Sequence, residues 1–240
     1  MDLIWNFTTE DIAAINEVVN HHREHPIVRD RHARNLAVNK QPVDINRFWK
    51  ELAMAMLTSK QRTGPNSAVT QFLDLNPFPL DYQNCTNKAD VRGFVTHELR
   101  EFGGIRFHGL IGERLSQNFT NLNNWLWQKI LSHIQQLYAP ETREVERTVA
   151  DFLQRELAGV GPKQARNLLQ ALGLTRYEVP LDSRVARWLS RVGFPVPVST
   201  AALADRDYYC FVLDGFQQLC VAAGEIPCVV DGAIFASFDF

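Results

Sequence analysis

No two of the four cysteines, Cys85, Cys210, Cys220 and Cys228, form a C-x-x-C pair. The last three are spaced by ten and eight residues, which matches no zinc or iron–sulfur ligand pattern. Buried, reduced thiols are therefore expected. The chain also lacks any uncharged apolar run of the roughly 18 residues that a membrane span needs. Its first residues, MDLIWNFTTEDIAAINEVV, lack the basic-then-apolar order of a secretory leader, so the protein is not expected to be secreted. An excess of positive charge is missing as well. The formal net charge is −2 over 240 residues, which argues against a protein that coats nucleic acid through bulk charge. Strand-like segments are scarce, with Cys228-Val-Val the one candidate. Neither a fixed-period repeat nor a low-complexity tract is present.

What is present reads as helix nearly throughout, so an all-α fold is expected. Thr9-Glu-Asp offers a helix start, followed by Ile12, Ile15, Val18 and Val19 at helical spacing. Residues 21–43 are polar and basic, contain Pro26 and Pro42, and read as a loop or broken helix. Asp44 can cap a helix with Phe48, Leu52, Ala55 and Met56 on one face. The segment 59–67 has turn chemistry. A short helix is expected at 69–75, a loop at 76–86 and a helix at 91–102 that Gly103-Gly104 ends. Residues 105–119 and 122–137 follow as helices, and Thr142 can cap 143–157. His21, His22, His25 and His32 cluster in sequence, but no carboxylate or cysteine completes a metal site, so no metal is expected. The five tryptophans read as core.

Positive charge is concentrated locally. Between Arg155 and Arg191 there are seven Lys/Arg against three Asp/Glu. This stretch contains Leu157-Ala-Gly-Val-Gly-Pro-Lys-Gln-Ala-Arg166. Gly159 and Gly161 permit a sharp turn and close approach of a ligand to the backbone. Pro162 suits the first position of a new helix. The N–H groups of that helix start, with the positive end of its dipole, suit a phosphate oxygen. Val160 anchors the turn, while Lys163 and Arg166 add charge. Such a hairpin holds a DNA backbone without reading sequence. On the hairpin alone, a phosphate contact explains Lys163 better than catalysis does. Further on, Val179-Pro-Leu-Asp-Ser-Arg-Val-Ala-Arg187 places Asp182 nineteen residues after Lys163, at the start of an amphipathic helix. Asp182 suits the helix N-cap there.

The hairpin pattern L-x-G-V-G-x-K-x-A with the later V-P-x-D-x-x-V-x-R run resembles the helix-hairpin-helix DNA glycosylase superfamily. Within it, Leu52-Ala-Met-Ala-Met-Leu-Thr-Ser59 and Ile105-Arg-Phe-His-Gly-Leu-Ile-Gly-Glu-Arg114 look similar to the archaeal-type 8-oxoguanine DNA glycosylases, which also occur in bacteria. The cysteine spacing does not match the members that carry an iron–sulfur cluster. The residues before Phe48 are too few and too helical for the β domain of animal-type enzymes. The resemblance implies base-excision repair of an oxidised purine, with Lys163 as Schiff-base nucleophile and Asp182 as its catalytic partner. It implies DNA contacts from Gly159, Val160, Gly161, Arg166 and Arg184. It also implies a wedge loop in which Gln61 fills the gap left by a flipped base and Lys60 and Arg62 meet phosphates, while the residues by themselves read equally well as a plain solvated turn.

The apolar tail, with Phe235, Phe238 and Phe240, could stack on the base or simply cover core. The implied architecture is two helical lobes with DNA in an interlobe cleft. One lobe is 48–181, with the hairpin motif at about 147–173. The other joins 1–47 to 182–240. The expected partner is double-stranded DNA containing a damaged base, with no membrane, acted on by a monomer in a prokaryotic cytoplasm. No cofactor is expected beyond a monovalent cation at the hairpin. Two other readings stay open. One is a monofunctional glycosylase for another lesion, in which Asp182 activates water. The other is a non-catalytic helix-hairpin-helix DNA-binding protein.

Overall fold

A computed structural model describes residues 4–59, 61, 64, 66–139 and 142–238. Among these the regular elements are all helical. The first helix, α1 (Thr9–His22), starts at Thr8, which forms a reciprocal capping box with Asp11. Next comes α2 (Pro26–Asn35), inside the stretch expected to be loop or broken helix. Pro26 starts this helix rather than breaking it: Pro is favoured in the first turn, and the His25 ring caps the Ile27 N–H. Asp44 caps α3 (Ile45–Leu57) as expected. Short helices α4 (Ala68–Leu73) and α5 (Tyr82–Thr86) follow, the second within a segment expected to be loop. The helices α6 (Val91–Phe102) and α7 (His108–Asn121) come next. A π-helical turn at Leu122–Leu126 leads into α8 (Trp127–Gln135).

Packing divides the chain into two units. One comprises Met1–Gln41, Gln136–Asp151 and Gly161–Phe240, and the other comprises Pro42–Gln135 and Phe152–Val160. The expected lobe of 48–181 is therefore split. Its residues 161–181 go with the termini because Val179 and Leu181 are buried in the same apolar cluster as Ile15, Leu189, Phe216 and Ile234.

In the second unit Phe48, Trp49, Leu52, Leu80, Leu99, Leu115 and Ile130 are fully buried. The Trp49 indole N–H donates to Leu80 O at 2.9 Å, which satisfies its polar edge inside the core. A Cβ on Gly112 would lie 2.3 Å from Thr96 Oγ1, so only glycine lets α7 approach α6 this closely.

The first unit continues with α9 (Arg143–Glu156), α10 (Pro162–Ala171), α11 (Ser183–Arg191), α12 (Arg206–Ala222) and α13 (Pro227–Ala236). Residues 152–156 of α9 belong to the other unit. Helix α13 contains the Cys228-Val-Val segment that hinted at a strand. It is buried on nearly every side, so tertiary burial outweighs the β preference of its branched residues. All four cysteines are free and buried, as expected. Among the described residues, no single helix is long and apolar enough to cross a membrane.

Phe216, in α12, is fully buried. Phe216→Ala is expected to lower stability by about 3–5 kcal/mol, measured by urea unfolding.

Candidate active site

The hairpin begins where α9 ends. Leu157 and Val160 are buried on either side of the turn, so the expected anchoring role of Val160 holds. Gly159 adopts φ +77°, and a Cβ there would sit 2.3 Å from Arg114 Cδ. The positive φ requires glycine, and any Cβ would also have to displace the Arg114 side chain. Asn118, fully buried in α7, locks this turn. Its amide accepts from Ala158 N–H at 2.8 Å and donates to Ala158 O at 3.0 Å. Gly161 then serves as N-cap of α10 with no side-chain cap, and Pro162 opens the helix. Nothing in the local sequence around Asn118 pointed to that reciprocal bond.

Lys163 stands in the first turn of α10 and is half-buried. Burial pulls its ammonium below the ordinary lysine value. Carboxylates of Asp182 and Asp231 oppose that shift, while Arg184 adds to it. Asp182 is the N-cap of α11. Its Oδ1 accepts from the N–H groups of Arg184 at 2.8 Å and Val185 at 3.0 Å. Its Oδ2 lies 3.4 Å from Arg184 Nη1. The cap bonds use one oxygen and fix the carboxylate's direction, which leaves the other oxygen for charge stabilisation. Lys163 and Asp182 thus belong to one unit and act on each other electrostatically.

What places Asp182 is a pair of buried carboxylates that hold the segment between α10 and α11, one from α9 and one within the segment. Glu146, fully buried in α9, accepts from the Thr175 hydroxyl and from three successive N–H groups, those of Arg176, Tyr177 and Glu178, each at 2.8 Å. Burial pushes its carboxyl up to about 7 against the pull of these donors. Glu178 is also fully buried. Arg147 reaches it at 2.8 and 3.0 Å, Arg166 at 2.8 Å and Gln217 at 3.2 Å. The Tyr209 hydroxyl completes the arrangement by donating to Val179 O at 2.9 Å and accepting from Leu181 N–H at 2.7 Å. The run from Thr175 to Leu181 is therefore hydrogen-bonded almost residue by residue, and Asp182 follows it.

Arg166 corrects one expectation. It is fully buried, pairs with Glu178 and Asp151, and lies over the Tyr209 ring at 4.9 Å. It serves the fold rather than a phosphate, because a guanidinium already committed to two carboxylates inside the core has no free edge for DNA. Gln61 is folded back. Its amide donates to Leu57 O at 2.5 Å and accepts from Arg106 N–H at 2.9 Å. Lys60, Arg62 and Phe240 lie outside the described residues. Arg184 stacks on Phe235, with its guanidinium 4.0 Å from the ring centre, and Arg187 and Arg191 each lie 5.5 Å from the Phe238 ring. Both tail rings considered as base platforms are therefore already faced by arginines of α11. Among the described residues, no group of three or more His, Cys, Asp or Glu could hold a metal ion.

Neither a scan against protein-family descriptions nor a search of curated proteins yields a match. Solved structures do match. Tm1821, the 8-oxoguanine DNA glycosylase of Thermotoga maritima, superposes with a TM-score of 0.66 at 19% identity, over 95% of this chain and 97% of that one. The 8-oxoguanine DNA glycosylase of Methanocaldococcus jannaschii gives a TM-score of 0.63 at 16% identity, over 94% and 92%. The same organism's 8-oxoguanine glycosylase/lyase in complex with a 15mer DNA containing 8-oxoguanine also gives 0.63 at 16%, over 95% and 96%. This chain has the 8-oxoguanine DNA glycosylase fold. The match runs over nearly the whole of each chain.

Two measurements check the buried carboxylates. Arg166→Met leaves Glu178 and Asp151 short of a cation, and is expected to lower stability by about 3–5 kcal/mol in urea unfolding. For Glu146, a folded value raised from 4.5 to about 7 gives stability that is complete below pH 4.5 and lost as pH rises through 7. Glu146→Gln is expected to be less stable overall, since its amide nitrogen faces N–H donors. It should also remove that pH slope between 4.5 and 7.

Proposed function

We propose that the protein is a DNA glycosylase with lyase activity that removes 8-oxoguanine, or a closely similar oxidised purine, from double-stranded DNA. The observation that carries this reading is a half-buried lysine of lowered proton affinity at a hairpin helix start, coupled to a helix-capping aspartate. The named activities of the proteins that share the fold support it.

A base within a duplex is out of reach, so it is flipped into a pocket first. Only a neutral amine is a nucleophile. Burial supplies that form of Lys163 at a lower pH than a solvated lysine reaches. The Lys163 nitrogen lone pair forms a bond to the sugar C1′ as the bond from C1′ to the base breaks. The base leaves with the electron pair and is protonated. Loss of a proton from nitrogen and opening of the sugar ring give a Schiff base, from which β-elimination cuts the strand. Asp182, its Oδ1 held by two N–H groups, offers Oδ2 to the positive charge that grows on the sugar. The glycine backbone at 159–161 and the uncapped start of α10 take a DNA phosphate. Gln61, to act as wedge, would exchange its two bonds to Leu57 and Arg106 for the duplex interior. Arg184 supports Asp182 at the edge of the site. A monomer working in a prokaryotic cytoplasm, with a monovalent cation at the hairpin, completes the reading.

The test is borohydride trapping on a duplex containing 8-oxoguanine. The wild-type protein is expected to form a covalent adduct that Lys163→Gln abolishes. Asp182→Asn should slow it by about 100-fold or more. Base release without an adduct would replace this reading with water activation by Asp182. DNA binding with no base release over a panel of lesions would leave only a backbone clamp.

A further inference from the structure

A cavity of about 710 Å³ opens on the first unit, and neither Lys163 nor Asp182 lines it. Its walls include Trp5 and Phe7 from the N-terminal segment, Arg143 at the start of α9, Tyr177, and Gln217 and Val221 from α12. Each wall is held from behind. A Cβ on Gly215 would come 2.8 Å from the Trp5 ring, so the missing side chain lets the indole sit directly on α12. Phe194 and Phe211 hold the same indole, with ring centres 5.3 and 4.9 Å away. The Phe7 ring lies 6.3 Å from that of Trp5 and within 6° of parallel to it. The Tyr177 peptide is gripped on both sides: its N–H donates to Glu146 at 2.8 Å, and its O accepts from Gln217 Nε2 at 2.9 Å. The walls therefore stand before any ligand arrives, which reduces the ordering cost of binding. The volume is typical of small-molecule sites, about 300–1,000 Å³.

The chemistry of the lining is specific. Trp5, Phe7 and Tyr177 offer aromatic surface on which a planar ring can stack. Among the described residues, Arg143 is the one cation on the lining, and no Asp or Glu lines the cavity. Arg143 meets Glu144 at 3.5 Å, but both side chains are exposed and such a pairing contributes little, so an anion can take its place. Arg143 also opens α9, and the positive end of this 14-residue helix adds to the pull on an anion there. Glu146, in the same turn, faces the N–H groups of residues 176–178 instead. Gln217 is 2% exposed. Its Nε2 is committed to Tyr177 O and, at 3.2 Å, to Glu178 Oε1, which fixes the direction of the amide. Its Oε1 is left without a hydrogen-bond partner. A buried acceptor of this kind is matched only by a donor brought from outside.

We propose that this cavity binds a nucleotide. The base stacks on the aromatic wall, an N–H of the base meets Gln217 Oε1, and the phosphate meets Arg143 at the start of α9. Each part of the ligand answers a feature of the lining. A purely apolar group would leave Arg143 and Gln217 unmatched, and a bare anion would leave the three rings without a partner. A base inside a duplex has its faces stacked and its edge paired, so it cannot enter. The occupant is therefore a free mononucleotide or the unpaired end of a strand, which present the same chemistry. The site is separate from the proposed reaction and does not depend on the roles given to Lys163 and Asp182.

NMR on the full 15N-labelled chain decides it, through the Trp5 indole N–H signal, assigned with Trp5→Phe. The probes are the common deoxynucleoside 5′-monophosphates at millimolar concentration. A saturable shift of that signal with at least one of them is expected. Arg143→Met, at a partly exposed position, should weaken binding by about tenfold or more, the effect of losing one hydrogen-bonded charge contact. The matching nucleoside, which lacks the phosphate, should bind more weakly to a similar degree. Val221→Trp, at the exposed lip of the cavity, should abolish the shift. A short single strand with a 5′-phosphate, titrated in parallel, separates the two sources: a shift with the strand alone assigns the site to strand ends, and a shift with the mononucleotide to free nucleotide. No shift with either, an equal shift with inorganic phosphate, or undiminished affinity in Arg143→Met overturns the proposal. Lys163→Gln should bind the nucleotide as the wild type does, so failure of the glycosylase reading leaves this result standing.

Discussion

Glu178 and Glu146 are carboxylates with no access to water, and a buried charge must be matched by donors or the fold fails. The matching is what ties the site together. Glu178 draws Arg147 from α9, Arg166 from α10 and Gln217 from α12 onto one point. Glu146 does the same for the backbone of the intervening segment. Neither set of bonds survives a shift of any of these helices by more than an ångström or so, because charge-assisted bonds are short and directional. Lys163 rides on α10 and Asp182 follows the clamped segment, so their relationship is inherited from two acids that touch no substrate.

Lys163 itself lives between opposed influences. A lysine in the open would be protonated at neutral pH, and one surrounded only by apolar groups would give up its charge. Here burial works against Asp182 and Asp231, while Arg184 works with it. Under the proposed function, a balance of this kind would let the same nitrogen attack as an amine and then persist as a protonated Schiff base, since neither form is driven off completely. The uncapped start of α10 adds a further local push against positive charge at the same residue.

The features that were legible in the sequence are those whose cause is local. Gly159 at φ +77°, Pro162 in the first turn and Asp182 capping two N–H groups are settled by residues within three positions of themselves. The features that were not legible depend on distant partners. Arg166 looks like a hairpin cation until Glu178, twelve residues away, and Asp151, fifteen away, are brought against it. Asn118 grips Ala158 across forty residues, and Tyr209 grips Leu181 across twenty-eight. Asp231 meets Gln170 across sixty-one. Helix α13 escaped notice for another reason. Burial on nearly all sides removes the polar face that makes a helix periodic, so nothing marks its register. Helix α2 had the reverse problem, with so few apolar residues that its Pro26 read as an interruption.

The four cysteines bear on the conditions in which such a protein would work. Oxidants that damage guanine also attack thiols, and they do so through the thiolate. Cys85, Cys210, Cys220 and Cys228 are all buried, and burial pushes every one of them upward, Cys85 and Cys228 to about 12. The reactive form is then vanishingly scarce at physiological pH, and the sulfur atoms are shielded besides. Oxidants of the kind that would create the proposed lesion would find none of these four thiols in its reactive form.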